Sequence, residues 1–415
     1  MRRIRTIVVV LSAVLITGIS PIGKPLAAPG DNAVVHWNEI ALNTIIADPT
    51  RSTPSASSLY VAIVQASVYD AVMAIEGTHE PYAFDGNAPG ASVDAAVATA
   101  AYDVLVHYFG TQQTLTDAYA QSLAAVPDGE SKEDGVEVGH QAAAAIISLR
   151  ANDGRDAIVA PPPDGDEPGE WVRTGSGNVV TPYVAQVTPF LAKSPDQFRP
   201  KGPNKLSSRR YAVQFERTRL YGAKTGSLRS PEQTEIALFW TENTVRQYNR
   251  ALRDLARARG LSVGESALLF AMTSLTGADA MITCWNTKFH FLAWRPVTAI
   301  READTDGNRW TTADPLWEPL STTALHPEYV SGHACLTGAI TQALREFLGT
   351  KNINFSITST VTGTTHFFAT VDDLRKEVED ARVYGGDHWE TGGTDGTSLG
   401  DKLAKFALHR YFRKS

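Results

Sequence analysis

The sequence predicts an all-α fold made of helical bundles. Apolar residues recur at intervals of three and four through most of the chain, which is the period of an amphipathic helix. Most segments between these runs are short and polar, as helix connections in bundles are. The 415 residues, of which 43% are hydrophobic and 20% charged, can bury a large core in one or two domains.

The first 28 residues have the pattern of a secretory signal peptide. Arginines at positions 2, 3 and 5 precede an apolar run over 7–16, and small residues end at Ala28, where we expect cleavage. The run is shorter than the roughly 20 residues of a spanning helix, and a membrane anchor is the alternative. We therefore expect a secreted or periplasmic protein with no stable membrane insertion after cleavage.

The net charge disfavours nucleic acid as a partner. It is −7 for the whole chain, and removing the four basic residues of the first 28 makes it −11. An acidic surface repels phosphate backbones, so a cationic site would be a local exception.

Helical periodicity in the N-terminal half covers five segments: 32–46, 59–75, 91–109, 112–125 and 136–149. Residues 151–205 differ, with the run Pro161-Pro162-Pro163 and irregular patterning, which predicts a crossover loop. We assign residues 29–205 to an N-terminal helical half that includes this crossover.

The C-terminal bundle, residues 206–415, carries the candidate site. Helical periodicity returns over 230–260 and 263–282, leads into a segment at Lys288, and recurs over 334–348 before Gly349. Three clusters follow in this bundle, and together they supply one lysine, two arginines, a hydroxyl, a glycine amide and two histidines: Lys288 with Arg295, then Ser331-Gly332-His333, then Arg382 with His388.

The spacing within each cluster suits convergence on one anion. Lys288 and Arg295 are two helical turns apart, so in a helix both would leave the same face. Ser331-Gly332-His333 precedes an apolar-periodic run, so we place it at a helix N-terminus, where free N–H groups favour anions. Arg382 and His388 lie on different faces of an unbroken helix, but Gly385-Gly386 predicts a break that turns both inward.

Three fixed cations can hold a phosphate-like oxyanion. Each pair at about 4 Å contributes roughly 4 kcal/mol near a protein surface before desolvation. The two arginines add bidentate recognition of oxygen atoms.

These motifs, in this order, resemble the signature of the vanadium-dependent haloperoxidases and the related type 2 phosphatidic acid phosphatases. Upstream, Arg229-Ser-Pro-Glu-Gln-Thr234, Trp240, the pair Asp279-Ala280 and Trp285 look like the bundle that precedes a haloperoxidase site. The resemblance covers most of the chain after about residue 30 and implies one compact helical body holding two bundles.

The resemblance also implies vanadate as cofactor and a role for each residue. The positions that would bind the non-apical oxygens are Lys288, Arg295, Ser331, Gly332 and Arg382. His388 would bond vanadium axially, His333 would be the acid–base group, and Lys288 would polarise bound peroxide.

Three departures from the family pattern are visible. Val330 stands where a proline usually precedes Ser-Gly-His, and Ala381 replaces a serine. Asn243 stands where the fungal chloroperoxidase has an aspartate paired with its arginine, which affects the expected surroundings of Arg295.

The implied activity is oxidation of halide by hydrogen peroxide to a hypohalous acid equivalent that reacts with a small organic acceptor. His326 lies where algal bromoperoxidases have histidine, which favours bromide. The alternative is an exported acid phosphatase in which His388 attacks a phosphomonoester and His333 protonates the leaving group. A protein that binds an oxyanion without turnover would not need His333. The oligomeric state is open, with a homo-oligomer possible.

The two cysteines, Cys284 and Cys335, flank site motifs on elements that should meet. An exported protein can pair them in a disulfide, and two buried free thiols are the alternative.

Overall fold

The computed structural model describes residues 31–415, so the predicted signal peptide lies outside the described residues. The N-terminal half contains α1 (Ala33–Ala47), α2 (Pro54–Glu76), α3 (Val93–Phe109), α4 (Gln113–Ala124) and α5 (Glu130–Leu149). All five match predicted segments to within a few residues at each end. Sequence signals explain the boundaries: the Asn32 side chain caps α1, Pro54 opens α2, and Gly77 with φ +61° ends it.

The C-terminal half contains α6 (Arg209–Gly222), α7 (Pro231–Phe239), α8 (Thr244–Arg259), α9 (Val263–Phe291), α10 (Pro296–Arg301), α11 (Gly332–Leu348), α12 (Val371–Tyr384) and α13 (Glu390–Leu408). The all-α class is confirmed. The periodic segment over 230–260 is not one helix, because the chain leaves helical geometry between Trp240 and Asn243. Because of this break, the Trp240 carbonyl is free to accept a hydrogen bond from a side chain of the site.

One hairpin interrupts the helical pattern and was not predicted. Strands β1 (Asn352–Thr358) and β2 (Thr365–Thr370) pair antiparallel, with Phe355 opposite Phe368. Both phenylalanines are buried in the main core. The hairpin therefore packs onto the helical bundle, and the fold class remains all-α.

The two longest helices, α2 and α9, pack against each other at the centre of the protein. Both are long and apolar enough, by length and composition alone, to cross a bilayer. Their most apolar windows are 94% and 89% buried inside the protein, respectively, so their partner is protein. These helices form the core of the fold.

Each central helix uses one buried aspartate to hold a loop. Asp70 of α2 accepts backbone N–H groups from residues 82–84, and Asp279 of α9 accepts those from residues 190–192, at distances of 2.6–2.9 Å. Burial raises the pKa of each carboxyl to about 6, although the three hydrogen bonds oppose the shift. The hydrogen bonds to Asp279 fix part of the crossover against α9.

The crossover over residues 151–205 contains a single short 3₁₀ turn, Pro182–Gln186. It is otherwise irregular, as predicted. The Trp285 indole of α9 donates to the Val180 carbonyl at 3.1 Å, which brings the crossover to the edge of the site. The division of the chain near residue 205 stays a prediction.

Close packing of α11 on α13 sets the position of the Ser331 cluster. A Cβ added at Gly400 of α13 would lie 2.1 Å from the Cys335 carbonyl oxygen, and one at Gly338 of α11 would lie 2.3 Å from the Thr397 carbonyl oxygen. Only glycine allows this backbone approach at these two positions.

Candidate active site

Lys288 and Arg295 do not share a helix face, contrary to the prediction. Helix α9 ends at Phe291, Leu292 takes a left-handed conformation with φ +47°, and Arg295 is the residue before α10. A tight turn redirects the backbone, so that both side chains reach residues 326–328: Arg295 bonds to the His326 carbonyl, and Lys288 bonds to the two carbonyls that follow.

Ser331-Gly332-His333 begins α11, as predicted. Ser331 is the N-cap, and its hydroxyl oxygen accepts the Ala334 N–H at 3.5 Å. Gly332 is the first helical residue, and a Cβ there would lie 3.1 Å from the Trp285 ring. The helix therefore starts directly against the indole, and its first two residues line the cavity.

The predicted break between Arg382 and His388 is present. Helix α12 ends at Tyr384, and Gly386 has φ +77°, a conformation that favours glycine. The N–H groups of Asp387 and His388 both bond to the Arg382 carbonyl, at 3.1 and 3.3 Å. This tight turn brings the two side chains to the same place.

The three clusters meet around a cavity of about 250 Å³. Its polar lining includes Arg295, His326, His333, Arg382 and His388, together with Thr53, Ser55, Thr244 and the backbone of Gly332. Its apolar lining includes Met281, Trp285, Val180 and Pro54, so both halves of the chain contribute. A concave site with few polar groups and apolar walls is the usual form of a small-molecule site.

His388 is held by a carboxylate that the sequence did not reveal. Its Nδ1 lies 2.9 Å from Oε1 of Glu328, and its Nε2 lies 3.3 Å from Nη1 of Arg295. Since the guanidinium only donates, Nε2 accepts and Nδ1 carries the proton. Burial, followed by the charges of Arg295 and Lys288, lowers the pKa of His388 well below its ordinary value. Nε2 is therefore the unprotonated nitrogen and lies beside Arg295, and both residues line the cavity.

His333 is held at the opposite ring nitrogen. Its Nε2 donates to the Trp240 carbonyl at 2.9 Å, which leaves Nδ1 as the unprotonated nitrogen. Burial, followed by the charge of Arg382, lowers the pKa of His333 well below its ordinary value. The ring is neutral at neutral pH and can accept a proton at Nδ1.

Arg295 links the elements around the site. Its Nε donates to the His326 carbonyl at 2.8 Å, and Nη1 donates to the Asp387 carbonyl at 2.9 Å. Its Nη2 lies 2.9 Å from Nδ1 of His326. His326 thus lies within the site, in contact with the Arg295 guanidinium.

Arg382 is oriented by Asp387, a second acid missed from the sequence. Its Nη2 donates to Asp387 Oδ2 at 2.6 Å, and both side chains are nearly fully buried. Its Nε is buried and has no hydrogen-bond partner among residues 31–415. A buried unpaired donor next to the cavity is suited to an anion.

The expectation that Asn243 alters the surroundings of Arg295 was wrong. Its side chain caps α8 by accepting the N–H groups of Val245 and Arg246, and it donates to the Ser52 carbonyl at 2.7 Å. The acid that pairs with an arginine of the site is Asp387, which is contributed by a different segment.

The contacts of Lys288 differ from those expected, and the Ser331 side chain lies outside the lining of the cavity. Lys288 is fully buried, and its Nζ donates to the carbonyls of Pro327 and Glu328 at 2.9 and 3.0 Å. Burial lowers its pKa to about 8. Neither side chain lines the cavity, so their assignment as oxyanion ligands stays a prediction.

Two buried acids accompany the three cations, so the site has a smaller positive surplus than the sequence suggested. Burial raises the pKa of Glu328 to about 7, although Lys288 and Arg295 oppose the shift, and burial also raises the pKa of Asp387. With both acids ionised, the surplus is one positive charge. The sequence signal was their position: Glu328 lies between His326 and Ser331, and Asp387 directly precedes His388.

Cys284 of α9 and Cys335 of α11 are buried free thiols in the described part of the chain. Helices α9 and α11 do meet, as expected. Cys284 Sγ lies 3.6 Å from the Val330 carbonyl oxygen, next to the Ser331 cluster. The structure therefore corresponds to the free-thiol alternative.

Comparison with known proteins supports the resemblance. Residues 268–414 match the family model described as the VCPO second helical-bundle domain. Vanadium chloroperoxidase of Curvularia inaequalis is 31% identical over 152 residues, which cover 30% of this chain and 24% of that protein. The match thus spans about a quarter of the relative's length.

Two solved structures share the fold over nearly the whole chain. A bacterial vanadium-dependent iodoperoxidase has a TM-score of 0.77 at 21% identity and covers 95% of this chain and 99% of its own. A bacterial vanadium-dependent chloroperoxidase in its holo form has a TM-score of 0.72 at 19% identity, with 93% and 98% covered. The fold predicted from the motifs is confirmed.

Proposed function

We propose, from the premise that this chain is a member of the vanadium haloperoxidase family, that it oxidises halide with hydrogen peroxide at a vanadate held by His388. One observation carries the proposal: His388, with an unprotonated Nε2 beside Arg295, lines a cavity together with Arg382 and a neutral His333. Imidazole nitrogen is a common ligand for transition metals.

The residues present fit vanadate. The anion carries negative oxygen atoms, and the cavity offers Arg295, Arg382 with its unpaired Nε, and the N-terminal end of α11 at Gly332. The Glu328–His388 pair resembles the carboxylate–histidine–metal arrangement, in which the acid fixes the ring orientation and increases ligand basicity.

Vanadate, when bound, would supply a Lewis-acid centre that activates hydrogen peroxide towards halide. His333 would take a proton from the incoming peroxide at Nδ1, because its Nε2–H is held by the Trp240 carbonyl. Arg295 and Arg382 would balance the negative charge. The buried Lys288 would hold the carbonyls of residues 327 and 328 and thereby place Glu328 under His388.

We also propose bromide as the favoured halide. The support is the position of His326, which lines the cavity and contacts Arg295. The polarity of its ring would therefore influence the place where halide would react. Steady-state rates with chloride, bromide and iodide test this idea. We expect His326→Phe to change the ratio of bromide to chloride rates, and an unchanged ratio would argue against a role for His326.

Export to a secreted or periplasmic location is a further proposal, based on the pattern of the first 28 residues. N-terminal sequencing of the protein recovered from the culture medium or the periplasm would test it. A mature protein that begins near residue 29 is expected, and an intact Met1 terminus would contradict export by cleavage.

The deciding experiment adds orthovanadate, hydrogen peroxide and bromide to the apo-protein and follows bromination of a dye. Hydrolysis of p-nitrophenyl phosphate is measured in parallel. Vanadate-dependent bromination that His388→Ala abolishes would support the haloperoxidase. Phosphate-ester hydrolysis without halogenation at any vanadate concentration would instead identify an acid phosphatase.

A further inference from the structure

A second cavity has Glu328, the partner of His388, in its wall. Its volume is about 310 Å³, and it shares no lining residue with the first cavity in the described part of the chain. Glu328 and Gly392 form part of its wall, between the start of α13 and the turn before α10. The residue that holds His388 therefore belongs to the wall of a cavity separate from the first.

One carboxylate oxygen of Glu328 is left without a hydrogen-bond partner among residues 31–415. Oε1 accepts from His388 Nδ1 and from the Trp389 N–H, at 2.9 and 3.2 Å. Oε2 is buried and finds no hydrogen-bond donor within residues 31–415. A Cβ at Gly392 would lie 2.2 Å from Oε1, so glycine is required for this close approach of the α13 backbone to the carboxylate. A fully buried acceptor without a donor is rare in folded proteins and calls for a partner.

The walls of this cavity are aromatic. Tyr211, Trp294, Tyr329 and Trp389 line it, and the Tyr211 hydroxyl is a second buried polar group without a partner among the described residues. The neighbouring polar side chains satisfy one another, since Asn204 donates to Gln214 and to Thr391. The cavity thus offers one strong acceptor and one hydroxyl between flat apolar surfaces.

We propose that this cavity binds a small phenol. Its ring would lie against the aromatic walls, and its hydroxyl would donate to Glu328 Oε2 and accept from Tyr211. A neutral donor suits the site better than an ammonium group, because Lys205 lines the cavity and Lys288 already lies against the Glu328 backbone. The inference concerns a site separate from the vanadate cavity and does not depend on the proposed activity.

The test is titration of the apo-protein with 4-fluorophenol, followed by ¹⁹F NMR. Saturable binding to the wild-type protein is expected. Tyr211→Phe keeps the ring and removes only the hydroxyl, and it should weaken binding about fivefold. Glu328→Gln keeps the shape and removes the charge, and it should weaken binding about tenfold. Glu379→Gln is the matched control, because Glu379 bonds to Thr397 away from the cavity, and its affinity should be unchanged.

Three further titrations can overturn the proposal. Fluorobenzene lacks the hydroxyl and should bind more weakly than the phenol; equal affinity would remove the role of Glu328. A 4-fluorobenzylammonium ion that binds more tightly than the phenol would show a cation site. Direct competition between 4-fluorophenol and orthovanadate would place the phenol in the first cavity, and an absence of saturable binding to the wild-type protein would exclude the site.

Discussion

The Nδ1 atom of His388 lies 2.9 Å from Oε1 of Glu328, a residue 60 positions earlier in the chain. Both side chains are buried, and the contact fixes which ring nitrogen carries the proton. A histidine at the end of a tight turn is thereby held in one tautomer before any ligand binds.

Removing this carboxylate should weaken the site without unfolding the protein. We expect Glu328→Gln to lower vanadate affinity about tenfold and Glu328→Ala about a hundredfold, since carboxylate partners of metal-bound histidines contribute in this range. Calorimetric titration with orthovanadate measures the affinity, and ¹⁵N NMR of the apo-protein reports the His388 tautomer. Unchanged affinity and tautomer in Glu328→Ala would show that the contact is incidental.

Replacing His333 should separate catalysis from binding. We expect His333→Gln to reduce the halogenation rate by roughly 10²–10⁴-fold, because general acid–base groups contribute that much. Vanadate affinity should change far less, because His333 bonds to the Trp240 carbonyl and is not the proposed vanadium ligand. A comparison of kcat with the vanadate dissociation constant decides the matter, and loss of both together would assign His333 to vanadate binding.

The α11–α13 contact should not tolerate a methyl group. Gly400→Ala places a Cβ 2.1 Å from the Cys335 carbonyl oxygen, so one helix must shift. We expect the free energy of unfolding to fall by about 1–3 kcal/mol, and vanadate affinity to fall because α11 carries the Ser331 cluster. Gly175→Ala is the control, since its Cβ would make an ordinary contact at 3.5 Å. Chemical denaturation of both variants gives the comparison.

His366 should make stability depend on pH away from the vanadate site. Burial lowers its pKa, but the hydrogen bond to Glu377 and the charges of Glu377 and Glu235 outweigh it, so the pKa is raised. The folded state therefore holds this proton more tightly than the unfolded state, and the stabilisation is present below the unfolded pKa of about 6.5. It is lost as pH rises through the raised pKa of the folded protein. His366→Gln should flatten the decline of Tm over this interval, and an equal decline in both proteins would contradict the assignment.

Asn243 should act through helix α8 alone. Because its side chain caps α8 and contacts neither arginine of the site, Asn243→Ala should cost about 1 kcal/mol of stability. Vanadate affinity should stay the same. Thermal unfolding measures the stability, and titration with orthovanadate measures the affinity. A large loss of affinity would show that Asn243 does influence the arginines of the site, as the family pattern suggested.

The sequence alone predicted the five N-terminal helices, the helical segments that contain α8, α9 and α11, and the arginines and histidines that line the cavity. Local physics sufficed there: apolar periodicity fixes a helix, Ser331 and Gly349 mark its ends, and Gly385-Gly386 marks a turn. Distinctive residue types at fixed spacings, such as Ser331-Gly332-His333, identified the site because its chemistry requires them.

Only the tertiary structure decided the contacts that make these residues work. Glu328 and Asp387 look like ordinary surface acids in the sequence, and their pairing with His388 and Arg382 depends on a chain path that no local pattern encodes. The end of α9 at Phe291 removed the predicted common face of Lys288 and Arg295. The reason is physical: helix periodicity depends on neighbours a few residues away, whereas the partner of a buried charge is set by packing between segments far apart in sequence.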